Sequence, residues 1–83
     1  MVKTESFKEW LRSNTSYSDN VIGDTVSRIK RADNILHWND EETYIFYLEK
    51  EHEFIRLSVS VRSQLRKAVK LYSTYIKEDT GHS

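Results

Sequence analysis

The clearest structural signal in the chain lies in residues 58–77, which read SVSVRSQLRKAVKLYSTYIK. On a helical wheel of about 100° per residue, the apolar side chains of this segment fall together on one side. Ser58 or Ser60 precedes them as a candidate N-cap, and the pattern ends by Lys77 or Glu78. We therefore predict a long amphipathic helix whose buried face consists of Val61, Leu65, Ala68, Val69, Tyr72 and Ile76.

The opposite side of this helix carries cations at regular spacing. Arg62, Arg66 and Lys70 follow one another at intervals of four residues. Like charges at this spacing repel by about 0.2–0.5 kcal/mol per pair, so an anionic partner is expected to offset them. A nucleic-acid backbone is one such partner, because cations that neutralise phosphates release counterions. The same polar side also carries Ser63, Lys67, Thr74 and Lys77, and hydroxyls at the helix start are supplied by Ser58 and Ser60.

The segment before this helix has the opposite charge. Residues 39–55 contain six acidic side chains and one basic side chain, whereas residues 56–77 contain six basic side chains and no acidic one. The net charge of zero is therefore the sum of two opposite fields. A second explanation of the cations follows, in which the acidic segment packs beside the basic helix in solvated ion pairs worth about 0–1 kcal/mol each. Spacing alone leaves both explanations open.

A short helix is predicted at the N-terminal end. It begins at Ser6, which stands three residues before Glu9 in the capping-box arrangement, and it fades by Asn14. Residues 15–18 are rich in hydroxyls that compete for backbone partners, so they are expected to form a connection. The inner face of this first helix is formed by Phe7, Trp10 and Leu11.

A second helix is predicted to begin at Ser18 or Asp19 and to end near Asp33 and Asn34. Gly23 lies inside it at a cost of about 1 kcal/mol relative to alanine, which we interpret as a mark of close helix packing. The polar side of this helix mixes cations with carboxylates, as a solvated surface does. Its inner face is formed by Val21, Ile22, Val26, Ile29, Ala32 and Leu36.

A third helix is predicted to begin at Asn39 or Asp40, where acidic side chains suit the positive end of the helix dipole. Trp38 lies in the preceding connection and is expected to fold back onto the core. Residues 49–57 are interpreted as a fraying helix end followed by a turn. The inner face of the third helix comprises Tyr44, Ile45 and Leu48, and the turn returns Phe54, Ile55 and Leu57 to the core.

The composition limits the fold class. The 83 residues include no cysteine, no proline and only two glycines, and they lack the Asn-Gly and Asp-Gly corners of tight hairpins. We predict one all-α domain over residues 1–83, a bundle of four helices with an ordered core at about 6–77 and a frayed tail at 78–83. No apolar run approaches the roughly 18 residues of a membrane span, and no signal-peptide pattern is present, so the expected location is cytoplasmic.

No catalytic constellation is visible in the sequence. The histidines, His37, His52 and His82, have no spacing typical of metal ligands, and two isolated glycines cannot form a phosphate-cradling loop. No pattern pairs a serine with a base and an orienting carboxylate. We therefore expect no enzymatic activity, no cofactor, no metal and no small-molecule substrate.

The order of three motifs matches a known family. The chain resembles the N-terminal SAM-like, core-binding domain of tyrosine recombinases and phage integrases over residues 6 to about 77. The first motif is Phe7-x-x-Trp10-Leu11, the second is Tyr17-Ser18-x-Asn20-x-Ile22 followed by Ser27-Arg28-Ile29, and the third is Ser58-x-Ser60-x-x-Ser63-x-Leu65-Arg66-Lys67-Ala68-Val69-Lys70-Leu71-Tyr72.

This resemblance implies a four-helix, SAM-like orthogonal bundle that clamps one face of duplex DNA, mainly through phosphates. It suggests a role in a mobile-element or DNA-processing protein. In that family a separate C-terminal domain performs strand exchange, and this sequence lacks its arginines and tyrosine nucleophile, so a catalytic domain is an expected partner. On matching positions the nucleic-acid contacts are Ser27, Arg28, Arg31, Arg62, Ser63, Arg66, Lys67 and Lys70.

An alternative function is a helical protein–protein interaction module with no nucleic-acid role. It would use the acidic third helix and exposed aromatic residues, of which Tyr17 and Tyr75 are predicted to be partly exposed. A third alternative is a regulator that self-associates through its oppositely charged faces. Segregation of the acidic and basic sets onto opposite faces favours DNA binding. The pairing explanation is favoured if acidic side chains interleave with basic ones, namely Glu42, Glu49 or Glu53 with Arg62, Arg66 or Lys70.

Overall fold

A computed structural model describes residues 2–39 and 41–80 of the chain, without the side chains of residues 79 and 80. The described residues form helices and contain no strand, so the predicted all-α class is confirmed. Five helices are present instead of the predicted four, because the segment 49–57 contains a short additional one. The helices are α1 (Thr4–Asn14), α2 (Asp19–Ile35), α3 (Tyr44–Leu48), α4 (His52–Ile55) and α5 (Val59–Thr80).

One hydrophobic core contains residues from all five helices. The long helix α5 packs chiefly against α2, and α1 packs against both. Four residues of the predicted inner face of α5 are buried, and Val61 and Ile76 are half-buried. Tyr75 joins this face with 4% of its surface exposed, so its predicted partial exposure is wrong. The core residues are Val2, Phe7, Leu11, Ile22, Val26, Ile29, Ala32, Tyr44, Leu48, Phe54, Leu65, Val69, Tyr72 and Tyr75.

Tyr72 lies at the centre of an aromatic cluster that joins distant parts of the chain. The Phe7 ring meets it edge-on at 5.0 Å between centroids, and the Trp38 ring does so at 4.8 Å. The backbone N–H of Lys3 donates a hydrogen bond to the Tyr72 hydroxyl over 2.8 Å. Trp38 therefore folds back onto the core as predicted, helped by its backbone N–H, which donates to the Asp33 carboxylate over 2.7 Å.

Two predicted helix caps are confirmed and one is wrong. The Ser18 and Ser58 hydroxyls accept hydrogen bonds from backbone N–H groups three residues later, at 3.3 Å and 3.2 Å. The predicted cap at Ser6 is wrong, because α1 begins two residues earlier with Lys3 as its N-cap. The tertiary hydrogen bond from Lys3 to Tyr72 anchors the chain at that point and orders the extra residues.

The region around α3 differs from its prediction. The helix begins at Tyr44 instead of Asn39, whose side-chain oxygen accepts a hydrogen bond from the Glu41 N–H over 2.9 Å and forms a local turn. The alternative start at Asp40 lies outside the described residues. Residues 52–55 form α4 instead of a simple turn, and Ile55 is exposed and not in the core. The other predicted inner residues are buried or half-buried: Tyr44, Ile45, Leu48, Phe54 and Leu57.

The C-terminal helix is longer than predicted. Helix α5 continues to Thr80, so residues 78–80 are not a frayed tail, and residues 81–83 lie outside the described part of the chain. The Trp10 indole N–H donates a hydrogen bond to the Glu78 carboxylate over 3.1 Å, which links α1 to this last turn. Within the described residues the structure contains no helical segment with the length and hydropathy of a membrane span.

Gly23 occupies an open position on the surface of α2. A β-carbon placed there would meet no other atom within 4 Å, so the predicted close packing at this glycine is wrong. The glycine therefore retains its entropic cost in a helix interior without a compensating contact.

We expect Gly23→Ala to raise the free energy of unfolding by about 0.5–1 kcal/mol, because alanine has the higher helix propensity and space for its methyl group is free. Urea denaturation followed by circular dichroism measures the change. A lower stability of the variant would contradict the open environment at this position.

The Tyr44 hydroxyl satisfies the C-terminal end of α2. Its oxygen lies 2.6 Å from the Leu36 carbonyl oxygen and 3.1 Å from that of Ala32, which already accepts from the Leu36 N–H, so the O–H donates chiefly to the Leu36 carbonyl at the end of the helix. Burial raises the pKa of the Tyr44 phenol well above its usual value, and the nearby Asp33 carboxylate raises it further.

We expect Tyr44→Phe to lower the free energy of unfolding by about 1–2 kcal/mol at neutral pH, because a carbonyl loses its donor. The unfolded tyrosine ionises near pH 10 while the folded one keeps its proton, so this residue's contribution is complete below about pH 10 and declines above it. Urea denaturation between pH 7 and 11 should therefore show a gap between wild type and variant that narrows at high pH. A constant gap, or no gap, would contradict this role, and Tyr47→Phe is the exposed control.

Candidate functional site

The polar side of α5 divides into three strips. Arg62 and Arg66 are half-buried on the flank that faces α3 and α4, and we call this the α3 flank. Lys67 lies on the other flank, beside residues of α2. Ser63 and Lys70 are exposed between the two flanks. The cations predicted to act as one line therefore face different surroundings.

The α3 flank shows the pairing of acidic and basic side chains. The Arg66 guanidinium lies 3.0 Å from the Glu49 carboxylate and above the Phe54 ring, 5.4 Å from its centroid. Further along α5, the Lys77 ammonium lies 3.9 Å from the Glu42 carboxylate. The acidic segment thus offsets part of the positive charge of α5, as one of the two explanations of its cations requires.

Arg62 lies one turn before Arg66 and has no carboxylate partner among the described residues. Its Nε atom is buried and finds no hydrogen-bond acceptor in residues 2–39 and 41–80. An arginine nitrogen in this state has lost its water without regaining a partner, which is unfavourable for the folded chain. The α3 flank is therefore only partly neutralised.

The other flank of α5 forms a shallow cleft with α2, which we call the α2–α5 cleft. The predicted residues Arg28 and Lys67 meet there, although they are 39 positions apart in the chain. The Lys67 ammonium lies above the Tyr17 ring, 5.9 Å from its centroid. The described residues that line the cleft include no carboxylate and are Tyr17, Val21, Thr25, Arg28, Gln64, Lys67, Ala68 and Leu71.

A second cleft is lined by the next turns of α2. Arg31, three residues after Arg28, meets Arg56 from the end of α4, with Glu53 as the one carboxylate of the lining. Neither arginine forms a salt bridge in the part of the chain that the structure describes. We use the term basic surface for the four cations of the two clefts, namely Arg28, Arg31, Arg56 and Lys67.

The remaining predicted site residues lie outside both clefts. Ser27 is exposed on α2, and Ser63 and Lys70 are exposed on the outermost strip of α5. Sequence reasoning had not included Arg56 or Gln64 in the site. One feature of the sequence could have indicated Arg56, since it is the first cation after the acidic segment. No such feature indicates Gln64, because only the packing of α5 on α2 brings it into the cleft.

Models of protein families, curated proteins and solved structures were compared with this chain, and none of them matches it. The resemblance to recombinase core-binding domains therefore stays a prediction.

A double-mutant cycle on Arg66→Gln and Glu49→Gln should give a coupling free energy of about 0.5–1 kcal/mol. The two side chains are 33% and 40% exposed, so solvent screens the pair despite its short distance. The control pair, Lys77→Gln and Glu42→Gln, is 69% and 89% exposed and should couple near zero. Equal coupling of both pairs in urea denaturation would show that the Arg66 contact is not a specific element of the α3 flank.

Proposed function

We propose that this chain binds duplex DNA through its phosphates, using the basic surface of α2, α4 and α5. One observation supports the proposal above the others. Four cations, namely Arg28 and Arg31 of α2, Arg56 at the end of α4 and Lys67 of α5, line two clefts along α2, and Glu53 is the only carboxylate among the described residues of their linings. Although the chain has no net charge, these four cations lie on the basic surface without a salt bridge in the described residues. A phosphate-binding site requires such a local excess of positive charge.

The pairing pattern explains why this surface is the better candidate for DNA contact than the α3 flank. Arg66 must release Glu49 before it can bind a phosphate, and that exchange cancels part of the gain. Arg28 and Lys67 have no ion pair to break in the described residues. Counterion release from DNA then adds its full contribution to binding at these cations.

The family resemblance is a second line of support for part of the same surface. Arg28, Arg31 and Lys67 belong to the set of contact residues that it implies, and the all-α fold with a long last helix agrees with it. The proposal therefore includes the SAM-like bundle, a cytoplasmic location and no catalytic step in this chain. Strand exchange or another reaction would come from a separate domain or protein.

A second candidate function is a protein-interaction module. Four large apolar side chains between residues 46 and 59 are exposed, and Val59 has 70% of its surface in solvent. Phe46 and Tyr47 contact each other edge to face at 5.4 Å, and the Lys50 ammonium lies 4.3 Å from the Phe46 ring centroid. Exposed aromatic residues favour contact with another protein, and this surface does not include the four cations of the basic surface.

Fluorescence-anisotropy titration of a short labelled duplex tests the DNA proposal. We expect the wild type to bind at low salt with an affinity that falls as salt increases. Arg28→Gln with Lys67→Gln should weaken binding about tenfold or more and lower the slope of log K against log salt by about two, since two phosphate contacts are lost.

Lys30→Gln with Lys50→Gln is the matched control, because it removes the same charge from two lysines that line neither cleft. This variant should bind nearly as well as the wild type. Equal losses in the two double variants would indicate a diffuse charge effect. No binding by the folded wild type at low salt would favour the protein-interaction module, which Phe46→Ala with Tyr47→Ala would then probe.

A further inference from the structure

The α2–α5 cleft is lined by four side chains whose hydrogen-bond donors have no acceptor among the described residues. They are the Tyr17 hydroxyl, the Arg28 guanidinium, the Gln64 amide and the Lys67 ammonium. None of these groups donates a hydrogen bond to another described residue, and the one contact of Lys67 is with the Tyr17 ring. Donors from the connection after α1 and from helices α2 and α5 thus line one cleft, and no carboxylate is among its described lining residues.

The surroundings of these donors strengthen an interaction with an anion. Val21, Ala68 and Leu71 supply apolar walls, and Ala68 is fully packed with 2% of its surface exposed. Arg28 is itself half-buried between the helices. The half-buried Arg28 guanidinium therefore attracts an anion over a lower effective dielectric constant than an exposed cation does, and the exposed Lys67 adds a second charge at the rim of the cleft.

The shape of the cleft suits a small anion. Its space for water-sized groups is about 40 Å³, which accommodates about three water molecules. The cleft is shallow and open to solvent, so a compact tetrahedral oxyanion can reach the donors that line it.

We propose that the α2–α5 cleft is a binding site for a single phosphate group. The inference extends the proposed function and rests on it, because the proposed function names a DNA backbone as the source of that phosphate. The Arg28 fork presents two N–H groups to two phosphate oxygens, and Lys67 supplies a second charge. Gln64 and Tyr17 donate neutral hydrogen bonds that orient the group. The cleft then holds one phosphate of the bound DNA at a fixed position. Arg31 and Arg56 contact further phosphates of the same DNA.

Inorganic phosphate is the probe that tests the site without DNA. The ¹⁵N-labelled full chain is titrated with phosphate at constant ionic strength, and the Arg28 Nε–H and Gln64 amide signals are followed by NMR. We expect saturable shifts confined to the cleft. Arg28→Gln should weaken phosphate binding at least about tenfold, and Lys30→Gln, on another side of α2, should leave it unchanged.

Gln64→Ala gives a second test that keeps the charge of the chain. Gln64 is exposed on α5, so its truncation is not expected to disturb the fold. Loss of one neutral donor should weaken phosphate binding about three- to tenfold. Unchanged binding by this variant, or small shifts spread evenly over every cation of the chain, would overturn the site.

The experiments separate this inference from the proposed function. Saturable phosphate shifts without duplex binding would support the phosphate site and sink the DNA proposal. Duplex binding with no saturable phosphate shifts in the cleft would overturn the phosphate site and leave the DNA proposal standing. Duplexes with and without 5′-terminal phosphates then distinguish the sources. Equal affinities support a backbone phosphate at the site, and a strong preference for the terminal phosphate overturns that assignment.

Discussion

Burial of the apolar face of α5 around Tyr72 is the constraint on which the rest of the structure depends. The Tyr72 ring is packed by Phe7 from α1 and by Trp38 from the connection after α2, and its hydroxyl binds the Lys3 backbone. Aromatic pairs of this geometry contribute about 0.5–1.5 kcal/mol each beyond their buried area. Because three distant segments meet at one side chain, the rotation of α5 about its axis is fixed.

That rotation assigns different neighbours to the two flanks of α5. One flank receives the acidic segment, where Glu49 pairs with Arg66. The other flank receives α2, whose Arg28 adds to the charge of Lys67 and brings no carboxylate into the cleft. The zero net charge of the chain is thus distributed unevenly, with partly paired charge on the α3 flank and cations that have no ion pair in the described residues on the flank beside α2. Ion pairing therefore accounts for Arg66 and Lys77, and the proposed DNA contact concerns the flank beside α2.

Local patterns in the sequence predicted the elements that depend on nearby residues. The inner face of α5, the caps at Ser18 and Ser58 and the return of Trp38 all follow from spacing and side-chain chemistry. Two of the failures involve contacts between distant residues. The start of α1 depends on a hydrogen bond across 69 positions, and the last turn of α5 is joined to Trp10 across 68 positions. The predicted site residues lie on different flanks of α5 for the same reason. A helical wheel shows which cations share a side of the helix, but it does not show which element packs beside that side.

The measurement that tests this account most directly is the NMR footprint of a short DNA duplex on the ¹⁵N-labelled chain at low salt. The account predicts shifts concentrated at Tyr17, Arg28, Arg31, Gln64 and Lys67, with little change at Glu49 and Arg66. Shifts concentrated on the α3 flank, with an unaffected α2–α5 cleft, would contradict it. Such a result would mean that DNA breaks the Glu49–Arg66 pair and that the unpaired cations beside α2 have no part in binding.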